Sequence, residues 1–209
     1  MLRASICLGL GAFVFASGVF CQTYVGIIAS ANGSIAVQTF PNNINKQGEI
    51  AGDWEDSSLK IHGFVRDPGG TITSFDWPGS DSSGAHSTVV ASINDAGAIT
   101  ESSISGLGFV RDPEGNATSL NAPGSIATSP QSINAGGTIT GFYNERNTVL
   151  HGFVREPNGT VTSFDPPGST ITRAVSIKAK GAIAGWCFEL SAGGGFPGTC
   201  AGFSRNRPA

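Results

Sequence analysis

The chain has 209 residues, a net charge of −3, only 13% charged residues and 30 glycines. That length suits one domain, or two small ones, with a sizeable core. The faintly acidic balance offers no basic stripe to neutralise a phosphate backbone, which argues against nucleic acid as a partner. The Gly, Ser and Thr content favours short strands and tight turns over helices.

In chain order, "MLRASICLGLGAFVFASGVFCQ" comes first: one Arg, an apolar run, small residues and a polar restart. It reads as a secretory signal peptide over 1–21. The apolar run from Ala4 to Phe20 is broken by Gly and Ser and is short for a membrane span, so no span is expected in the mature form. Bulky Phe20 before Cys21 argues against lipidation. Cleavage removes Cys7 and Cys21 and leaves Cys187 and Cys200, and export favours a disulfide between them.

From residue 22 onward the sequence repeats. Gly-Phe recurs as Gly63-Phe64, Gly108-Phe109, Gly152-Phe153 and Gly202-Phe203. A second signature reads "INKQGEIAG" at 44–52, "INDAGAITE" at 93–101, "INAGGTITG" at 133–141 and "IKAKGAIAG" at 177–185. A period of 40 to 50 residues marks propellers, solenoids and arrays. The units run as an incomplete first one over 24–61, then 62–106, 107–150 and 151–200, with a last strand at 201–206.

Each unit resolves into four strands. Asp67-Pro68-Gly69-Gly70, and its copies from Asp112 and Glu156, make a type I turn between the Gly-Phe strand and a strand of "ITSF" type. Asn45, Asn94 and Asn134 open a second turn that ends in Gly48, Gly97 and Gly137, between a strand of "ASIN" type and one of "AITG" type. The mature N-terminus starts at a second strand and the C-terminus stops after a first strand, so pairing the two ends gives four times four strands. The predicted fold is an all-β, four-bladed β-propeller over 22–209, closed by its N- and C-terminal strands. Which strand lies nearest the axis is not fixed by the sequence, because either framing closes equally well.

"HGFVRxPxG", the "PGS" step and "INxxGxIxG" together resemble the HAF-type extracellular repeat of exported bacterial proteins. The resemblance covers most of the mature chain. It implies a secreted, periplasmic or cell-surface β-repeat protein of propeller-like build with no established activity. Glu101 departs from it in place of Gly, Leu107 and Ala201 in place of His, and Lys178 in place of Asn.

Catalysis needs unlike groups brought together, whereas the candidates here repeat. His62 and His151 open equivalent strands, without the further ligands a metal would need. Asp76 and Asp165, with Asn121 between them in sequence, suit turn-holding side chains. Arg66, Arg111 and Arg155 form a possible cation ring. Trp54, Trp77 and Trp186 stand at strand ends, where they pack or stack on a sugar. In the repeat alignment Cys187 matches Tyr143 and Cys200 matches Leu150, and the two cysteines flank the Gly-rich insertion "FELSAGGGFPGT". The reading is a monomeric binding or structural module for an extracellular ligand, carbohydrate or protein, without cofactor, metal or catalytic residues. The rival is a glycan-active hydrolase or lyase, for which Glu55, Asp56 and Glu101 are the non-repeated acids.

Overall fold

The structure is a computed structural model that describes residues 36–79, 87–146, 149–189 and 198–205. The expected signal peptide at 1–21, the N-terminal strand expected to complete the ring and His86 lie outside the described residues. Fifteen strands and no helix are found among those that are described.

The first sheet holds β1 (Gln38–Ile44), β2 (Ile50–Glu55), β3 (Ile61–Arg66) and β4 (Ile72–Phe75). The second holds β5 (Thr88–Ile93), β6 (Ile99–Ser103), β7 (Gly108–Arg111) and β8 (Ala117–Leu120). The third holds β9 (Ala127–Ile133), β10 (Ile139–Asn144), β11 (Leu150–Arg155) and β12 (Val161–Phe164). The last described strands are β13 (Ile171–Ile177), β14 (Ile183–Glu189) and β15 (Gly198–Arg205), paired in that order. Within each group the pairing is antiparallel, and one parallel bridge, Leu150 to Ile171, links the third group to the fourth.

Both turn signatures form as the sequence implies. In the first, Gly48 N–H donates to Asn45 O at 3.1 Å while Gly48 takes φ 84°, a value glycine adopts without a Cβ penalty. In the second, Gly70 N–H donates to Asp67 O at 3.0 Å. The repeat boundaries, however, cut each sheet in half. The sheets start at the "ASIN"-type strands β1, β5, β9 and β13, and these are mutual neighbours: β1 meets β5, β5 meets β9 and β9 meets β13. That contact resolves the framing left open by the sequence.

Successive sheets pack in one recurring way, with β2 on β5, β6 on β9 and β10 on β13. Ala51, Val90, Ile93 and Ile99 form the core of the first junction, with Phe75 against them. Leu120, Ile133, Ile139, Tyr143 and Phe153 build the second, and Ala174, Ile177 and Ile183 the third. Thr88, Thr128 and Thr172, at one place in the repeat, are all fully buried. Thr88 Oγ1 accepts from Trp77 N–H at 3.0 Å and Thr128 Oγ1 from Ala122 N–H at 3.1 Å, tying the end of one sheet to the first strand of the next. β14 and β1 are not packed in this way: Ala184 on one and Pro41 and Ile44 on the other are exposed.

Candidate functional site

The four turns that follow the first strands line a cavity of about 360 Å³. Ile44, Ile93, Ile133 and Ile177 line it, one from each repeat, together with Asn45, Asn94 and Asn134. The asparagines are held by a directional series of bonds. Asn45 Nδ2 donates to Asn94 O at 3.0 Å, Asn94 Nδ2 to Asn134 O at 3.1 Å, and Asn134 Nδ2 to Lys178 O at 3.2 Å. Each Asn Oδ1 also accepts from its own turn, as Asn94 does from Ala96 and Ala98. The turn role was legible from the sequence; the reach into the next repeat was not.

Charge at the rim is balanced. Lys46 Nζ lies 2.8 Å from Asp95 Oδ2, and Lys46 N–H donates to Asp95 Oδ1. That bonding holds the Asp95 carboxyl below the usual carboxylate range. The lining therefore offers apolar surface, amides and one neutralised pair. It offers no acid–base couple of the kind hydrolysis needs.

Arg66, Arg111 and Arg155 do not line this cavity. They sit at the ends of third strands, where each is engaged locally or buried. Arg66 Nη1 donates to Asp67 O at 3.3 Å, and burial pushes Arg155 below the usual arginine value. Arg111 donates to Gly115 O and Asp76 O, lies 4.4 Å over the Phe75 ring, and pairs at 2.9 Å with Glu101. Glu101 is fully buried, and desolvation raises its pKa against the pull of Arg111.

The opposite ends of the sheets carry the histidines. Trp54 faces His62 across β2 and β3, with ring centroids 4.4 Å apart, and Tyr143 faces His151 across β10 and β11 at 5.2 Å. His62 Nδ1 is 2.8 Å from Asp76 and Nε2 is 3.3 Å from Asp56, so both ring nitrogens already face carboxylates. Asp56 also accepts from the Ser58 hydroxyl, which chiefly holds it well below the usual carboxylate range. His151 Nδ1 is 2.6 Å from Asp165, and Nε2 is 3.9 Å from Glu145. The aspartates thus bind histidine as well as standing in a turn. A sequence signal existed: the repeat with Leu107 in place of His carries Asn121 in place of Asp.

Trp54 is buried and donates Nε1–H to Ser74 Oγ at 2.9 Å, and Trp77 packs 5.1 Å from Phe109 of the next sheet. Trp186 is 36% exposed, beside Phe188 and beneath the Arg173 guanidinium. Glu55 is half-buried at the end of β2, paired with Gln38 and Ile61 in the strand register.

Register corrects the cysteine alignment. Tyr143 faces His151, while Leu150 faces Asn144. A bulge between Gly185 and Cys187 then sets Cys187 opposite Cys200, so Cys200, not Ala201, takes the histidine place.

Asp53 was not singled out from the sequence. It is buried between the first two sheets, accepts from Val90 N–H and from Asn42 Nδ2, and burial pushes it up to about 6. Among the described residues no group of His, Cys, Asp and Glu has the arrangement of a metal site, and no helix is long and apolar enough to cross a membrane.

No family model and no curated protein matches the chain. Among solved structures, it is similar to a streptogramin B lyase, with 15% identity and a TM-score of 0.48, over 83% of this chain and 56% of that one. It is also similar to an arginine-to-alanine triple mutant of AofleA from Arthrobotrys oligospora, with 15% identity and a TM-score of 0.42, over 78% and 55%. The chain spans about half the length of each.

Proposed function

We propose that the four repeats are four β-propeller blades and that the protein is an exported binding module of the HAF-type repeat class, its contact surface the cavity lined by the four turns. The observation that carries this reading is the cavity lining. Every repeat contributes an isoleucine to it, three contribute an asparagine, and its one carboxylate is already paired with Lys46. Such a lining suits an uncharged ligand that offers apolar faces and hydrogen-bonding groups, as a sugar or a peptide segment does. A signal peptide at 1–21 and a Cys187–Cys200 disulfide belong to the same reading.

A screen of glycans, cell-wall polymers and peptides against the mature protein tests it, with Ala135→Trp, a change at an exposed lining position, as the cavity-blocked control. Binding that Ala135→Trp abolishes, while its far-UV circular dichroism stays unchanged, supports the module. Binding that survives in the variant places the contact elsewhere.

Glycan cleavage is the second reading, favoured by His151, whose Nδ1 is fixed by Asp165 while Nε2 faces Glu145. Product analysis on each binding hit, repeated with His151→Ala, separates turnover from binding.

A further inference from the structure

Three junctions between sheets are built alike. On the trailing side of each, Ala51, Thr100 or Thr140 is fully buried. On the leading side, Val90, Pro130 or Ala174 is buried, as are Ile93, Ile133 and Ile177. The fourth copies of these positions are Ala184 on the trailing side and Pro41 and Ile44 on the leading side, and all are exposed. Ile44 is 63% exposed where its equivalents are 4 to 7%. Phe40 at 44% and Trp186 at 36% stand beside them on the same two strands.

The surface that closes three junctions is thus left open at both ends of the series. Among the described residues β14 does not pack on β1 as β2 packs on β5, β6 on β9 and β10 on β13.

We propose that the four sheets form half of a ring and that a second copy of the chain completes the circle. The Ala184 and Trp186 face of each protomer seats on the Phe40 and Ile44 face of the other, giving two equal head-to-tail junctions and a ring of eight sheets. A head-to-tail contact closes only when its rotation divides the full turn, and two half-circle arcs satisfy that condition with no face left over. The asparagine series marks the same place. Asn45, Asn94 and Asn134 each bond to the following repeat, whereas the fourth position is Lys178, which has no amide to donate. The junction between chains is therefore the one that lacks this bond. Ile44, Asn45 and Lys46 of both protomers then line one shared cavity, in place of the monomer expected from the strand count. The burial pattern alone supports this association, so failure of every ligand in the screen leaves it standing.

Sedimentation equilibrium on the full chain reads the outcome directly. The expected mass is that of two chains. A single-chain mass at the highest attainable concentration overturns the proposal, since β14 or β1 is then covered from within the chain. Growth beyond two chains with concentration also overturns it, since the contact is then an open array. Ile44→Asp and Trp186→Asp are each expected to run as single chains with unchanged far-UV circular dichroism, and Ala184→Arg replaces the second if it loses that signal. Mixing the two variants leaves one intact pair of faces and is expected to restore a two-chain species. No restoration overturns the head-to-tail arrangement.

Discussion

Asn94 Nδ2 donates to Asn134 O at 3.1 Å, so the side chain that opens one turn also fixes the position of the next. Lys178 shows that the turn itself does not require the amide, because Gly181 N–H still donates to Lys178 O at 2.9 Å. Asn94→Ala removes this donor and leaves Ala96 and Ala98 N–H without their Oδ1 acceptor, a loss of about 2 kcal/mol. Lys178→Asn adds the missing acceptor to its own turn and is expected to stabilise by about 0.5–1 kcal/mol. Urea denaturation of both variants checks the opposite signs.

Asp53 sets a pH dependence of unusual sign. Its pKa rises from 3.8 to about 6 in the folded chain, because burial disfavours the carboxylate more than Val90 N–H and Asn42 favour it. Between about pH 4 and about pH 6 the native state holds a proton that the unfolded state has released, so stability falls as pH rises through that window and then levels. The loss is on the order of 2–3 kcal/mol. Below it the trend reverses, since Asp56, Asp67, Asp95 and Asp112 have lowered values and lose stabilising bonds on protonation. Denaturation midpoints across this range are expected to peak near its acidic end, and Asp53→Asn to remove the decline on the neutral side. A wild-type curve rising through the window contradicts this.

Much of the fold was legible because turn chemistry is local. Asn45-to-Gly48 and Asp67-to-Gly70 specify hairpins whatever surrounds them, and four copies of the first with three of the second specify a series of sheets. What joins the sheets was not legible, because a buried position reads the same whether its partner is in the same sheet or the next. Asp53 and Glu101 illustrate this: each stands where other repeats carry something different, and only the packed structure shows what each meets. The histidine clusters were half visible. His62 with Asp76, His151 with Asp165 and Leu107 with Asn121 vary together inside one chain, whereas the second carboxylates, Asp56 and Glu145, enter from equivalent turns whose sequences differ.

Glu101 and Arg111 form a buried pair that is costly to break from one side. Removing the cation strands a fully buried carboxylate, so Arg111→Met is expected to cost about 3–5 kcal/mol at neutral pH. Because Glu101 is already biased toward protonation by desolvation, the variant is expected to recover part of that loss at acidic pH. Glu101→Gln combined with Arg111→Met is expected to be more stable than Arg111→Met alone, with thermal unfolding as the readout.

Gly141 illustrates how the bulged first strand restricts its neighbour. A Cβ there would stand 2.1 Å from Ser129 O and 2.8 Å from Pro130 Cα, and Gly52 meets Phe40 O and Pro41 Cα at the same distances. Backbone cannot swing aside, so Gly141→Ala is expected to destabilise by about 2–3 kcal/mol. In the second repeat Glu101 is accommodated where Val90, not proline, lies opposite. Pro130→Val is therefore expected to lessen the cost of Gly141→Ala, which a double-mutant cycle in urea measures directly.

Cys187 and Cys200 occupy the cross-strand place that Trp54 and His62, and Tyr143 and His151, fill elsewhere. Opposed residues of an antiparallel pair have Cα atoms about 4.5–5.5 Å apart, inside the span a disulfide bridges. Oxidation would tie off the insertion between them and stabilise the chain by about 3 kcal/mol in the loop-entropy account. Protein recovered from an oxidising compartment is expected to show both thiols protected from alkylation until reduced. Cys187→Ser and the Cys187→Ser, Cys200→Ser double variant are expected to lose the same stability, because either change removes the one bond; a single variant much weaker than the double would mean that the two sulfurs act separately.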